Sequence, residues 1–234
     1  MKIALICNHT LIPDWITNEG VVIDAGAHGG EFSRAIHDLS GARVYGFEAN
    51  PDLFTMLSGS DRIEFIEAAL AGKDGEVLFH KQEPERGSIV HSCDSQETVS
   101  VRSVTLEGFC AARGIKHINL LKLDIEGAEL DVLETASDIF LKRIGQLTVE
   151  FHDFVDQSQL PRIRAIHNRL KSLGYYGVRL SVHTWGDCLY INSSHHPLSR
   201  KNRLELVIKG KYLPGLRRVV RKLFWNKSGH SVIL

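Results

Sequence analysis

Residues 21–30 read VVIDAGAHGG, and the reading of that stretch decides the fold. Val21, Val22 and Ile23 are apolar and β-branched, as a strand buried on both faces requires. Asp24 closes the run, and Gly26, Gly29 and Gly30 follow with small Ala25 and Ala27 among them. Phe32, Ala35, Ile36 and Leu39 then recur at helical spacing. Strand, glycine turn and helix in that order let a nucleotide-like ligand approach backbone N–H groups closely. The spacing is not the dinucleotide fingerprint G-x-G-x-x-G. That pattern needs glycine at position 28, where His28 stands, and the departure disfavours a pyrophosphate ligand and NAD.

Outward from this stretch, strands and helices alternate. Residues 42–48 read as a strand ending in Glu48, and Asn50-Pro51 as a helix start carrying Leu53, Phe54 and Leu57. Residues 63–70 form a third strand, and 76–80 its hairpin partner across the turn Lys73-Asp74-Gly75. A polar surface loop is expected over 81–98 and a short strand over 99–104. Thr105 caps a helix that Gly114 closes. Strands at 119–124 and 146–151 flank one helix over 127–142, with Leu130, Leu133, Ala136 and Phe140 inward. Leu160, Ile163, Ile166, Leu170 and Leu173 mark a further helix. Residues 176–182 and 188–192 form a terminal hairpin. The alternation implies an α/β fold with a mostly parallel sheet covered on both faces and one antiparallel strand.

The 234 residues carry 28 basic and 28 acidic side chains, but unevenly. Residues 209–234 hold seven basic residues and no acid, which leaves 21 basic and 28 acidic residues in the body, a net of −7. The chain is therefore expected to divide into an N-terminal segment 1–20, a body 21–208 and a basic tail 209–234. Cys7, Cys93, Cys110 and Cys188 form no C-x-x-C pair, so no zinc or redox motif is indicated. The opening MKIALIC is too short for a signal peptide, and no stretch nears the ~18 apolar residues of a membrane span. A cytoplasmic protein is expected. An acidic body without a nucleic-acid motif argues against specific nucleic-acid binding.

In such a sheet, ligands bind beyond the carboxyl ends of the strands. The polar residues there are Asp24 with its glycines, Glu48, Glu67-Ala68-Ala69, Asp124 with Glu126, and Glu150 with His152. Glu48 lies twenty-two positions beyond Gly26, where an acid accepts hydrogen bonds from both hydroxyls of a ribose. The competing reading is a solvated strand-end carboxylate. Lys122 shares a strand face with Asp124 and is expected to pair with an acid.

The blocks VVIDAGAHGGEFS, VYGFEANP and LLKLDIEGAELDVLETA together resemble the FkbM family of S-adenosylmethionine-dependent methyltransferases, over about 21–152. The segment SVTLEGFCAARGI is also similar to that family's pattern. The resemblance implies a Rossmann-like class I methyltransferase fold. This is a three-layer sandwich with a mostly parallel seven-stranded sheet and one antiparallel strand near the C-terminus. It also implies residue roles: Asp24, Gly26, Ala27, His28 and Gly30 around the methionine part of the cofactor, and Glu48 on the ribose between Ala49 and Asn50. Ala68 and Ala69 would lie near adenine, and Asp124 at the cofactor's amino group or the methyl-transfer zone. Asparagine is common in the family where His28 stands.

A hydroxyl acceptor must lose its proton, and the candidate bases are Asp124, Glu126, Glu150 and His152. If the strand continues to 152, Glu150 and His152 share a face and act together. Glu126 also suits the turn before a helix, where the helix N-terminus favours an anion. Asp124, Glu150 and His152 are an alternative Mg²⁺ set, although no metal is needed to explain them. The resemblance implies oxygen as the nucleophile, on a small molecule or glycan. The rivals are a nicotinamide-dependent oxidoreductase and a non-catalytic, membrane-peripheral cofactor-binding module. In the tail, Leu213, Leu216, Val220, Leu223 and Phe224 form a stripe beside Arg217, Arg218, Arg221 and Lys222. It is expected to dock on the acidic body of its own chain or of a dimer mate, with an anionic membrane or a carrier protein as other partners.

Overall fold

The computed structural model describes residues 1–80, 98–181 and 183–212. The readings of the 81–98 loop and of the tail beyond 212 fall outside these residues, apart from Thr98.

A short hairpin, β1 (Ala4–Ile6) and β2 (His9–Leu11), leads to β3 (Val21–Ala25), α1 (Glu31–Ser40) and β4 (Arg43–Glu48). Then come α2 (Pro51–Phe54), β5 (Ile63–Glu67), β6 (Ala69–Leu70), β7 (Gly75–His80) and β8 (Thr98–Val104). They are followed by α3 (Leu106–Ala112), β9 (Ile118–Leu123), α4 (Glu129–Thr135), α5 (Asp138–Leu141) and β10 (Ile144–Val149). The chain continues through α6 (Leu160–Ser172), β11 (Tyr175–Arg179), β12 (Cys188–Asn192) and α7 (Arg200–Leu206). Among the described residues no helix is long and apolar enough to cross a membrane.

Seven strands make the main sheet in the order β11-β12-β10-β9-β3-β4-β5. The ladders β10–β9, β9–β3, β3–β4 and β4–β5 are parallel, and β12 runs antiparallel to both its neighbours. The fold class inferred from the sequence is thus the one observed. Side-chain alternation makes the three layers. Ile23, Leu121 and Leu147 face one core with Leu133 and Ile166 of the helices. Val22, Val44 and Leu120 face the other with Phe32 and Ile36. The chain moves outward from β3 to β5 and then returns to place β9 on the other side of β3. The order of strands reverses there, and a crevice opens at such a point.

Three local expectations are corrected. First, β7 is not the hairpin partner of β5. It pairs antiparallel with β8 in a separate sheet of order β6-β8-β7. The Asp74 turn is tied elsewhere: its carboxylate accepts from Thr105 N at 2.6 Å, which binds it to the start of α3. Second, the helix over 127–142 is two helices. Ala136 is extended (φ −62°, ψ 133°), and Ser137 caps α5 by accepting from Phe140 N. Glu107 holds that cap in turn, accepting from Ser137 N at 3.0 Å and from its hydroxyl at 2.9 Å. Third, β10 ends at Val149, so residues 150–152 do not follow strand alternation.

The N-terminal hairpin packs into the body. Gln146, on a central strand, accepts from Ile12 N at 2.9 Å and donates to Ile12 O at 3.0 Å. Cys7 and Asn8 turn in the left-handed region (φ 44° and 66°), which sends His9 back across the sheet.

Candidate functional site

The glycine loop after β3 is shaped by contact with the end of β9. Gly26 has φ +82°, and a Cβ there would stand 1.9 Å from Asp124 O. His28 also takes a left-handed conformation, at φ 50°. Its N–H donates to Glu48 Oε2 at 2.7 Å, while Asn50 N donates to Glu48 Oε1 at 2.8 Å. Glu48 therefore ties the first loop to the second with both carboxylate oxygens. Burial raises its pKa, and the two N–H groups oppose that without cancelling it.

A cleft of about 260 Å³ opens at these strand ends. Its polar lining includes His28, Glu48, Asn50, Asp124 and Glu126. Gly26, Ala49, Ala68 and Ala69 line it too, with Phe47, Leu53, Leu70, Phe79 and Ile125 as apolar walls. Most of the residues singled out in the sequence for cofactor contact thus meet around one cavity. Asp24, Ala27 and Gly30 stand outside the lining. Asp24 is 0% exposed; it pairs with Lys122 Nζ at 3.0 Å and accepts from the Ser33 hydroxyl at 2.6 Å. It braces the loop from behind, because the β3–β9 register sets it opposite Lys122. Lys122 also donates to Gly26 O at 2.7 Å.

Asp124 directly follows β9 and collects cations. His9 Nε2 lies 3.2 Å from its Oδ2, Lys122 Nζ 3.9 Å from the same atom, and His152 Nε2 3.9 Å from Oδ1. Burial opposes its charge, but the His9 hydrogen bond and Lys122 prevail and bring its pKa down to about 2. His152 lies between two acids, with Nε2 3.2 Å from Glu126 and Nδ1 3.2 Å from Glu129. Burial disfavours its charge; the bonds to Glu126 and Glu129 outweigh that and push it up to about 11. Both ring nitrogens face carboxylates, so the imidazole turns no lone pair toward the cleft. Glu129 is itself fixed, accepting from Ile125 N at 2.8 Å and from Gly127 N at 3.1 Å. Glu150 is half-buried beside Asp124, and burial together with that neighbour raises its pKa.

The strand ends thus bring Asp124, Glu126, Glu150 and His152 into one cluster. The shared strand face expected for the last two is replaced by a turn that sends His152 to Glu129 and Glu150 to Asp124. Sequence reasoning missed His9, which has no neighbouring motif and meets Asp124 across 115 positions. It also missed the apolar walls; Phe79 arrives on β7, which pairs with β8 rather than with β5.

A mostly parallel sheet with β12 reversed, and a cleft where the strand order switches, is the class I methyltransferase architecture. The solved FkbM methyltransferase of Methylobacillus flagellatus has that fold. It superposes with a TM-score of 0.51 at 17% identity, over 75% of this chain and 44% of that one. The chain belongs to the FkbM methyltransferase family, whose domain model (Methyltransferase FkbM domain) matches residues 24–176. Among curated relatives, the hexuronic acid methyltransferase AglP of Haloferax volcanii is 25% identical over 127 residues, 52% of each chain. The 2-O-methyltransferase NoeI of Sinorhizobium fredii is 26% identical over 174 residues, 65% of this chain and 71% of its own. The match to the first of these spans about half of that relative's length.

Proposed function

We propose that this chain transfers a methyl group from S-adenosylmethionine to a hydroxyl oxygen of a sugar or a similar small acceptor. The observation that carries the reading is the single cleft joining the glycine loop, Glu48 and Asp124 in a chain of this family. The donor set fits the cofactor. Glu48 is anionic in kind and has lone pairs left for two ribose hydroxyls. Ala49 and Asn50 flank it. Ala68, Ala69, Phe47, Leu53 and Phe79 offer an apolar slot for adenine. Gly26, His28 and Asp124 would hold the amino-acid end, with Ala27 and Gly30 shaping the loop and Asp24 bracing it.

The bound cofactor supplies an electrophilic methyl group on a sulfonium. The chain's own residues orient the acceptor, exclude water and take its proton. Asp124 has its oxygens engaged by His9, Lys122 and His152, and His152 is held by its two acids. We assign the proton to Glu150, whose carboxylate no described residue hydrogen-bonds, or to Glu126, the more exposed of the two acids on His152. The names of the relatives, one acting on a hexuronic acid and one a 2-O-methyltransferase, support oxygen and a sugar. Calorimetry with S-adenosylhomocysteine and with NAD tests the reading: the first should bind and the second should not. Tight NAD binding without S-adenosylhomocysteine binding overturns it, and a panel of sugar acceptors then identifies the hydroxyl.

A further inference from the structure

The charges around the cleft can be counted in groups. Lys122 is matched by Asp24 at 3.0 Å. His152 is matched by Glu126 and Glu129, each at 3.2 Å. Asp124 has three nitrogen neighbours, His9 at 3.2 Å and Lys122 and His152 at 3.9 Å, whereas Glu150 beside it forms no ion pair among the described residues. Among the described residues, nothing hydrogen-bonds the Glu150 carboxylate. Two acids drawn together out of water lose hydration and repel each other unless a cation joins them.

The third member of this cluster is an imidazole. A ring nitrogen of His9 and one carboxylate oxygen each from Asp124 and Glu150 lie within 4.8 Å of one another. Adjacent ligands bound at about 2.1 Å to an octahedral ion stand roughly 3 Å apart, so small side-chain rotations close the set. His9 is held for the task. It is 1% exposed, and Phe32 packs edge-on to its ring at 5.8 Å. Its Nδ1 lies 3.5 Å from the Thr148 hydroxyl; if that hydroxyl accepts from Nδ1–H, Nε2 is left to ligate an ion in place of its hydrogen bond to Asp124. A second grouping, Asp124 with Glu129 and His152, is less suited. There an ion would have to strip Glu129 from the N–H groups of Ile125 and Gly127.

We propose that His9, Asp124 and Glu150 form a binding site for a divalent cation of the Mg²⁺ or Mn²⁺ type. Oxygen-rich ligation with one imidazole suits such ions. The β1–β2 hairpin, which lies outside the family-matched residues 24–176, thereby completes the site. The purpose of the ion rests on the methyl-transfer reading, although the site itself does not. A cation held there would make a neighbouring acceptor hydroxyl more acidic, and Glu126 would take its proton.

The test is titration of the full chain with Mn²⁺, followed by electron paramagnetic resonance, with and without S-adenosylhomocysteine. One site is expected, with a Kd below about 1 mM. Glu150→Gln and His9→Gln should each weaken it at least about 10-fold, while exposed Glu19→Gln leaves it unchanged. Circular dichroism establishes that each variant is folded. Metal-free calorimetry with S-adenosylhomocysteine tests the cofactor reading separately. The cation site is overturned if the wild type shows no saturable Mn²⁺ binding, or if folded His9→Gln binds as the wild type does. Competitive displacement of Mn²⁺ by S-adenosylhomocysteine also overturns it, since the acids would then hold the ligand's ammonium.

Discussion

Replacing Glu48 by alanine should separate cofactor binding from folding. The carboxylate makes two short bonds to backbone N–H groups, from His28 at 2.7 Å and Asn50 at 2.8 Å. Bonds to a charged group contribute about 1.5–3 kcal/mol each when nothing replaces them. Here the freed N–H groups border an open cleft, so water takes over most of that role. The stability loss should be only about 1–2 kcal/mol, or roughly 3–6 °C in Tm for a domain of this size. The ligand is affected more. Two ribose hydroxyls lose a common charged acceptor, worth about 3 kcal/mol together, or roughly 100-fold in affinity. Calorimetry with S-adenosylhomocysteine reads the second effect and differential scanning calorimetry the first. Glu48→Gln should fall between, because its amide keeps one acceptor oxygen and presents an N–H₂ to a backbone donor. An affinity within twofold of wild type, in a variant that melts cooperatively, would refute the assignment of Glu48 to the ribose.

Lys122→Met should lower stability by about 3–5 kcal/mol, since it strands the fully buried Asp24 with only the Ser33 hydroxyl for company. Adding Asp24→Asn should recover a good part of the loss in thermal melts, and a single variant that melts like wild type contradicts the pairing. A second effect lies away from the cleft. Burial holds His196 down at about 4 and lowers His117 as well. Their folded pKa values lie below the unfolded value near 6.5, so the unfolded chain binds more protons as pH falls. Stability from these groups is full above about pH 6.5 and declines toward pH 4. Urea unfolding at several pH values should show a shallower acid decline for His196→Gln than for wild type, and parallel curves would refute the link.

The strand ends were legible because their information is local. A β-branched run closing on Asp24, a glycine loop and an acid at Glu48 need only a few neighbouring residues to be read. The helix start at Asn50-Pro51 and the cap at Thr105 were legible for the same reason: Asn50 accepts from Asp52 N and Thr105 from Gly108 N, as their types predict. The break at Ser137 was less visible. Its neighbours keep helical spacing, and only the distant Glu107 fixes the cap.

The residues of VVIDAGAHGG by themselves determine the strand, the turn and the kind of ligand surface, because backbone sterics and side-chain alternation act over a few residues. What meets that surface was decided in three dimensions. Gly26 is confined by Asp124 O, His9 crosses 115 positions to reach Asp124, and β7 leaves β5 to deliver Phe79 from another sheet. His152 became a cation because two acids from the α4 turn enclose it. Charge pairing and close packing depend on distances between segments, and no periodicity along the chain encodes those distances.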